Sequence, residues 1–236
     1  MHVPSPSADS PAFDRRLWIT LLVLCGVLFL DGLDVSMVGV ALPSIESDLH
    51  LSTSTLQWVV SGYVLGYGGL LLLGGRTADL LGRKRVLVIA LVVFALASLL
   101  GALVDSGPLL IAARFIKGAA AGFTAPAGLS IITTTFPEGP LRNRALGIYT
   151  ATGASGFSLG LVLGGLLTTA GWRWTFLLPF PIAAVLAVVA ARVLRPDPPR
   201  VSEGRFDIAG AVSVTGAMLA LVFGVSGAPD AGWTSA

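Results

Sequence analysis

Seven long apolar runs follow one another along this chain, at positions 17–42, 56–75, 86–104, 108–136, 145–170, 174–194 and 208–225. A helix needs about 20 mostly apolar residues to cross a hydrocarbon core of about 30 Å. Inside lipid, every backbone N–H and C=O must find its partner within a helix or a closed barrel. These runs are too long and continuous for barrel strands, so the expected fold class is an all-α integral membrane protein.

Composition supports the same solvent. Hydrophobic residues make up 54% of the chain and charged residues 12%, and the mean hydropathy is +0.85. A soluble domain carries about twice that share of charge. The first run follows Arg15 and Arg16, as a signal sequence would, but it is too long for a signal h-region. It also contains Asp31 and Asp34, so it is expected to be the first spanning helix.

The basic residues set an expected orientation. If the helices alternate, Arg15, Arg16, Arg76, Arg83, Lys84, Arg85, Arg142, Arg144, Arg192, Arg195, Arg200 and Arg205 share one side. The other side holds Arg173 together with Glu46, Asp48 and Asp105. By the positive-inside rule the basic side is cytoplasmic, which places the N-terminus inside. The net charge of +2 then reflects topology, and no nucleic-acid partner is expected.

Catalytic chemistry finds little to work with. Cys25 is the single cysteine and lies in the first run, while His2 and His50 are the two histidines. They assemble neither a metal cluster nor a Ser-His-Asp arrangement, so no metal and no enzyme activity are expected.

The link between the second and third runs reads Gly75-Arg76-Thr77-Ala78-Asp79-Leu80-Leu81-Gly82-Arg83-Lys84-Arg85. It is too charged for lipid and reads as a tight turn, with Gly75 and Gly82 supplying backbone freedom and Asp79 placed to cap the next helix or to pair with Arg83. Gly75, Asp79, Gly82, Arg83 and Lys84 match the pattern Gly-x-x-x-Asp-x-x-Gly-Arg-Lys/Arg, and here the chain resembles the major facilitator superfamily. The resemblance implies that this turn belongs to a cytoplasmic gate latching two transporter halves. The stretch Leu33 to Pro43, the stretch Gly171 to Phe176 and the segment Gly232 to Ser235 are similar to the fourteen-helix drug:proton antiporter branch.

Charge inside a membrane span costs several kcal/mol, about +2.5 to +3.5 on insertion scales, and therefore marks a cavity or a partner. Asp31 and Asp34 stand three apart on the first run, and Arg114 and Lys117 repeat that spacing on the fourth. Structural ion pairing is one reading. The other is coupling, in which a carboxylate takes up and releases a proton as its cation partner moves. The resemblance places Asp34 at the family's first-helix aspartate and Arg114 at the arginine of a fourth-helix signature, Arg-x-x-Gln-Gly, with Gly118 as its glycine. Lys117 stands where that signature has glutamine, and Asp31 is an added acid. The expectation is that Lys117 offsets Asp31 and leaves Asp34 with Arg114 as the titrating pair.

Gly153, Gly156, Gly160, Gly164 and Gly165 recur along the fifth run, a spacing that suits close helix packing. Gly156, Gly160, Gly164 and Gly165 also resemble an antiporter signature, Gly-x-x-x-Gly-Pro-x-x-Gly-Gly, in which Leu161 replaces the proline. A bend at Pro126 in the fourth run is an alternative source of the missing kink. Gln57, Trp58, Tyr63 and Tyr67 are the candidate lining of a substrate cavity, since aromatic faces suit flat or cationic ligands.

The expected organisation is a disordered leader at 1–16, a six-helix bundle at 17–194 built from two inverted three-helix repeats, a cytoplasmic linker at 195–207, a seventh transmembrane helix at 208–225 and an external segment at 226–236. The resemblance implies proton-coupled efflux of hydrophobic or cationic small molecules across a bacterial inner (plasma) membrane. The proton is the coupling ion, no cofactor is needed, and the partners are the lipid bilayer, a small-molecule substrate and a missing C-terminal half. The chain is expected to be an incomplete N-terminal portion. Rival readings are a single-metabolite exporter or importer, and a membrane sensor or assembly protein that does not transport.

Overall fold

A computed structural model of the chain describes residues 13–197, 210, 213–221 and 224. Among these residues there is no strand. The helices are α1 (Arg15–Leu49), α2 (Thr53–Leu81), α3 (Arg83–Leu103), α4 (Gly107–Thr135), α5 (Pro140–Ala170), α6 (Arg173–Leu177) and α7 (Pro179–Val193). Among the described residues, the spans α1 to α5 and the joint span Arg173–Val193 give 6 helices long and apolar enough to cross a membrane.

The split between α6 and α7 falls at Leu178, immediately before Pro179. A proline has no N–H to offer and its ring crowds the carbonyl one turn earlier. Continuous helix is expected over 174–194, and Pro179 divides it. Pro126 and Leu161, in contrast, both lie inside unbroken helices.

Several helix ends run past the apolar runs. The charged link expected over 75–85 shrinks to one residue, Gly82, which ends α2 and begins α3 at φ 102°. Gly75 and Asp79 are therefore in the last turns of α2, and Gly75 faces Pro126 of α4 rather than making a turn. Hydropathy marks where lipid begins, whereas the helical hydrogen bonds continue into the headgroup zone, where charged side chains are solvated. Gly82 answers two demands at once, because its φ disfavours any side chain and an added Cβ would stand 2.6 Å from Cγ of Asp197.

The leader expected over 1–16 is ordered at its end. Asp14 accepts the Leu17 N–H as the N-cap of α1 at 2.7 Å. Phe13 is buried and packs edge-on against Trp18 and Phe136. Residues 1–12, the linker beyond 197 and the segment 226–236 lie outside the described residues. Of the expected seventh span, residues 210, 213–221 and 224 are helical and the others lie outside the description. Leu219 lies against α2, where a Cβ on Gly69 would meet its Cγ at 2.8 Å.

The closest helix pairs are α1 with α5 and α2 with α4, and glycine makes both possible. A Cβ added to Gly156, Gly160 or Gly164 of α5 would stand 2.9 Å from the Cα of Phe29, Leu33 or Met37 of α1, respectively. On the other pair, a Cβ on Gly118 of α4 would stand 2.9 Å from the Cα of Tyr63, and one on Gly74 of α2 would stand 2.9 Å from the Cα of Phe123. If the first three spans and the next three are equivalent units, α1 against α5 corresponds to α4 against α2. This is the pairing that two inverted repeats produce.

Buried apolar clusters fill each level of the bundle. One, with Phe13, Leu24, Phe136 and Leu194, closes the end where α1 starts. Another, with Ile45, Leu110, Trp172 and Phe176, closes the opposite end. A third, with Leu30, Tyr63, Phe94 and Ala121, lies between them, and it is beside this middle layer that the charged residues gather.

Candidate functional site

The sequence places acids on α1 and bases on α4, and antiparallel packing brings them together. Asp34 and Lys117 are 0% exposed, Arg114 1% and Asp31 8%, so water cannot solvate them and each must find protein partners. Arg114 Nη1 donates to Asp34 Oδ2 at 2.8 Å, and its Nε donates to the Val59 carbonyl at 3.1 Å. Lys117 Nζ donates to the other carboxylate oxygen, Oδ1 of Asp34. One buried anion thus bridges two cations.

Aromatic rings complete the cations' surroundings. The Arg114 guanidinium lies 4.4 Å from the centroid of Tyr63, and Lys117 Nζ lies 4.8 Å from that of Phe94 and 5.4 Å from that of Phe176. Such contacts gain strength when desolvated. Tyr63 also stacks on Tyr67 at 6.3 Å.

Asp31 makes a different contact. Its Oδ2 lies 3.2 Å from the hydroxyl of Thr124, which also reaches the Ala121 carbonyl at 3.0 Å. The expected pairing of Lys117 with Asp31 is therefore corrected: Lys117 is bonded to Asp34. The cause is helical register. Arg114 and Lys117 are three apart and share a face, so both meet the same level of α1. Asp31 stands about 4.5 Å further along the helix axis, and because the helices run in opposite directions it meets a later residue of α4, Thr124.

The four residues expected to line a cavity do not converge. Tyr63 is buried and Tyr67 half-buried beside the charged group, but Gln57 is exposed and Trp58 half-buried. At 3.6 residues per turn, Trp58 points about 140° or more away from the two tyrosines.

The link motif is assembled at the basic end. Asp79 and Arg83 pair at 3.5 Å on an exposed surface, one of the two roles open to Asp79. The other, capping α3, is taken by Asp197, whose carboxylate accepts the N–H groups of Lys84 at 3.0 Å and Arg85 at 3.3 Å. Lys84 Nζ donates to the Leu194 carbonyl at 2.8 Å. Of the four glycines in the antiporter-like motif, Gly156, Gly160 and Gly164 are buried against α1, while nothing lies within 4 Å of a Cβ on Gly165.

Sequence reasoning missed three sets of partners. Thr124, Phe94 and Phe176 carry no charge, and nothing in the sequence marked them as partners of the buried acids and bases. Asp197 lies in a proline-rich stretch read only as linker. At the far end, Asp48 accepts from Trp172 Nε1 and Arg173 Nη1, both at 2.8 Å, while Arg173 Nη2 donates to Asp105 at 2.5 Å. That clasp had a visible signal, because Arg173 was the one basic residue on a side that held acids.

The sequence model of the Major Facilitator Superfamily matches residues 24–234. The chain is 39% identical over 232 residues to the MFS-type transporter EfpA of Mycobacterium tuberculosis, covering 98% of this chain and 43% of that protein. It is also 39% identical to a puromycin resistance protein of Streptomyces alboniger, with 98% and 46% covered. To a cephamycin export protein, CmcT, of Amycolatopsis lactamdurans it is 43% identical, with 92% and 45% covered. The chain thus spans about half the length of the curated relatives it matches. Among solved structures, a bacterial homologue of the human lysosomal transporter Spinster superposes with a TM-score of 0.68 at 20% identity, covering 84% of this chain and 48% of that one. The proton:xylose symporter XylE superposes with a TM-score of 0.66 at 18% identity, covering 89% and 51%; at such identities the likeness is one of fold.

Proposed function

The chain belongs to the Major Facilitator Superfamily, and we propose that it forms the N-terminal half of a proton-coupled exporter of hydrophobic or cationic small molecules in a bacterial plasma membrane. The observation that carries the reading is the bridge from Asp34 to Arg114 and Lys117 in the buried middle of the bundle. A proton arriving on Asp34 removes the one anion that holds both cations of α4 to α1. The two helices otherwise touch little, their close partners being α5 and α2, so losing the bridge changes what α4 is tied to while leaving the two tight pairs intact. Proton uptake is in this way linked to a rearrangement between pairs, as alternating access requires. Asp31, one turn nearer the basic end and bonded to Thr124, is the second carboxylate along the proton's path.

The substrate site lies between this half and a second half that completes the cavity, and the half-buried Tyr67, backed by the buried Tyr63, supplies an aromatic face to it. No cofactor is used, since the proton gradient provides the driving force. The motif around Gly82, Arg83 and Lys84 gates the basic end, which faces the cytoplasm. Support comes also from relatives named for resistance to, or export of, antibiotics, including puromycin, cephamycin and lincomycin. A narrower reading, export of one specialised molecule, is favoured by relatives named for a single compound each.

The test is uptake of a cationic dye into inside-out vesicles that contain the full-length transporter. Collapsing the pH gradient should abolish accumulation, and Asp34→Asn should do the same when uptake is expressed per folded transporter remaining in the membrane. Accumulation that survives both changes would sink proton coupling. Competition by unrelated dyes for the same uptake would favour the broad reading over the narrow one.

A further inference from the structure

The end of the bundle where α1 begins contains a cavity of about 340 Å³, lined in part by Arg83 and Lys84 of the link motif, for which the transport reading names no ligand. Its walls come from the starts of α1 and α3, the end of α4 and the chain just after α7. Arg16, Arg83, Lys84 and Arg195 line it, opposed by two acids, Asp14 and Asp197. Both acids are already committed to backbone groups. Asp14 Oδ1 accepts from the Leu17 N–H, and the two oxygens of Asp197 accept from the N–H groups of Lys84 and Arg85.

The cations are less occupied. Lys84 Nζ uses one of its three protons on the Leu194 carbonyl, and Arg83 reaches Asp79 through one nitrogen at 3.5 Å. Among the described residues, no carboxylate lies within ion-pair distance of Arg16 or Arg195. The cavity therefore offers guanidinium forks and an ammonium group with donors to spare. Guanidinium groups match tetrahedral oxyanions two bonds at a time. Leu17, Ile131 and Leu194 add an apolar flank, which suits an anion with a hydrocarbon-bearing substituent.

We propose that this cavity binds a phosphate ester, presented either as the headgroup of an anionic phospholipid or as a soluble phosphate compound. Both sources offer the same group to the same four side chains. The cavity lies at the ends of membrane-spanning helices, the level of lipid headgroups, where clustered basic residues recognise anionic lipid.

The experiment uses the protein purified at its native length. Native mass spectrometry compares retention of phosphatidylglycerol with that of phosphatidylcholine, and thermal melts compare inorganic phosphate with chloride at equal ionic strength. Arg16→Gln with Arg195→Gln empties half of the cationic lining. Arg85→Gln with Arg192→Gln removes the same charge from exposed positions at the same end but outside the cavity. The expected result is a preference for phosphatidylglycerol of about tenfold, kept in the Arg85 and Arg192 variant and lost in the Arg16 and Arg195 variant. A phosphate-dependent rise in melting temperature with the same variant pattern, and no lipid preference, would assign the soluble source. Equal loss in both variants, or no response of the unmodified protein to either probe, would overturn the proposal. Should the Arg16 and Arg195 variant fail to fold, Arg195→Gln alone, at an exposed position outside any helix, is expected to lose part of the preference.

Discussion

Asp34 and Arg173 are inverse arrangements whose surroundings give them different weights. Asp34 is one acid between two bases, fully buried; Arg173 is one base between two acids, with 40% of its side chain exposed. Breaking a buried pair strands an unsolvated charge at a cost of about 3–5 kcal/mol, while an exposed pair contributes about 0–1 kcal/mol however short its bonds. Thermal unfolding in detergent should therefore show Asp34→Asn to be severely destabilising and Arg173→Gln nearly silent. A double-mutant cycle refines the first point. Asp34→Asn and Lys117→Met should couple by about 1 kcal/mol or more, exceeding the coupling of Asp31→Asn with Lys117→Met; the reverse order would refute the pairing. The residue types of this site were legible in the sequence, because four ionisable groups at membrane depth stand out against an apolar background. Which acid met which base was not legible, since spacing along one helix says nothing of the axial offset between two.

At the scale of helices, the glycine-rich face of α5 acts through contact with α1. Gly160 and Gly165 separate this from any sequence-pattern role. Gly160→Val drives a branched side chain toward the Leu33 backbone, already 2.9 Å from the first added carbon, and should cost about 1–3 kcal/mol as overpacking does. Gly165→Ala points into open space and should leave the melting temperature unchanged. Equal effects would mean that the motif does something other than pack. The cap on α3 offers a second measurement. Without the Asp197 carboxylate two N–H groups lose their acceptor, so Asp197→Ala should cost about 1 kcal/mol and speed hydrogen exchange at the Lys84 and Arg85 amides. Spans were readable from hydropathy because lipid imposes a length; helix ends were not, because Arg76 and Asp79 remain helical beyond the lipid. The cap was invisible for another reason, as more than a hundred residues separate Asp197 from Lys84.

For the whole molecule, the two ends differ in kind. One end carries Arg83, Lys84 and Arg195 around a cavity, and the other ties Asp48 and Asp105 to the lone Arg173. This asymmetry is the physical content of the orientation argument, because anionic lipid and the insertion machinery hold basic segments on the cytoplasmic side. The fold supplies sites to measure it. Cys25 is buried and is the single cysteine, so Cys25→Ser gives a background without thiols. Into it, Arg85→Cys places a thiol at an exposed position of the basic end, and Ser54→Cys places one at an exposed position of the opposite end. A membrane-impermeant maleimide added to intact cells should label the thiol at position 54 and not the one at 85, and permeabilising the cells should expose both. The opposite pattern would invert the protein in the membrane. It would place the motif around Gly82 outside, against its proposed role as a cytoplasmic gate, and would reverse the direction proposed for proton passage along Asp31 and Asp34.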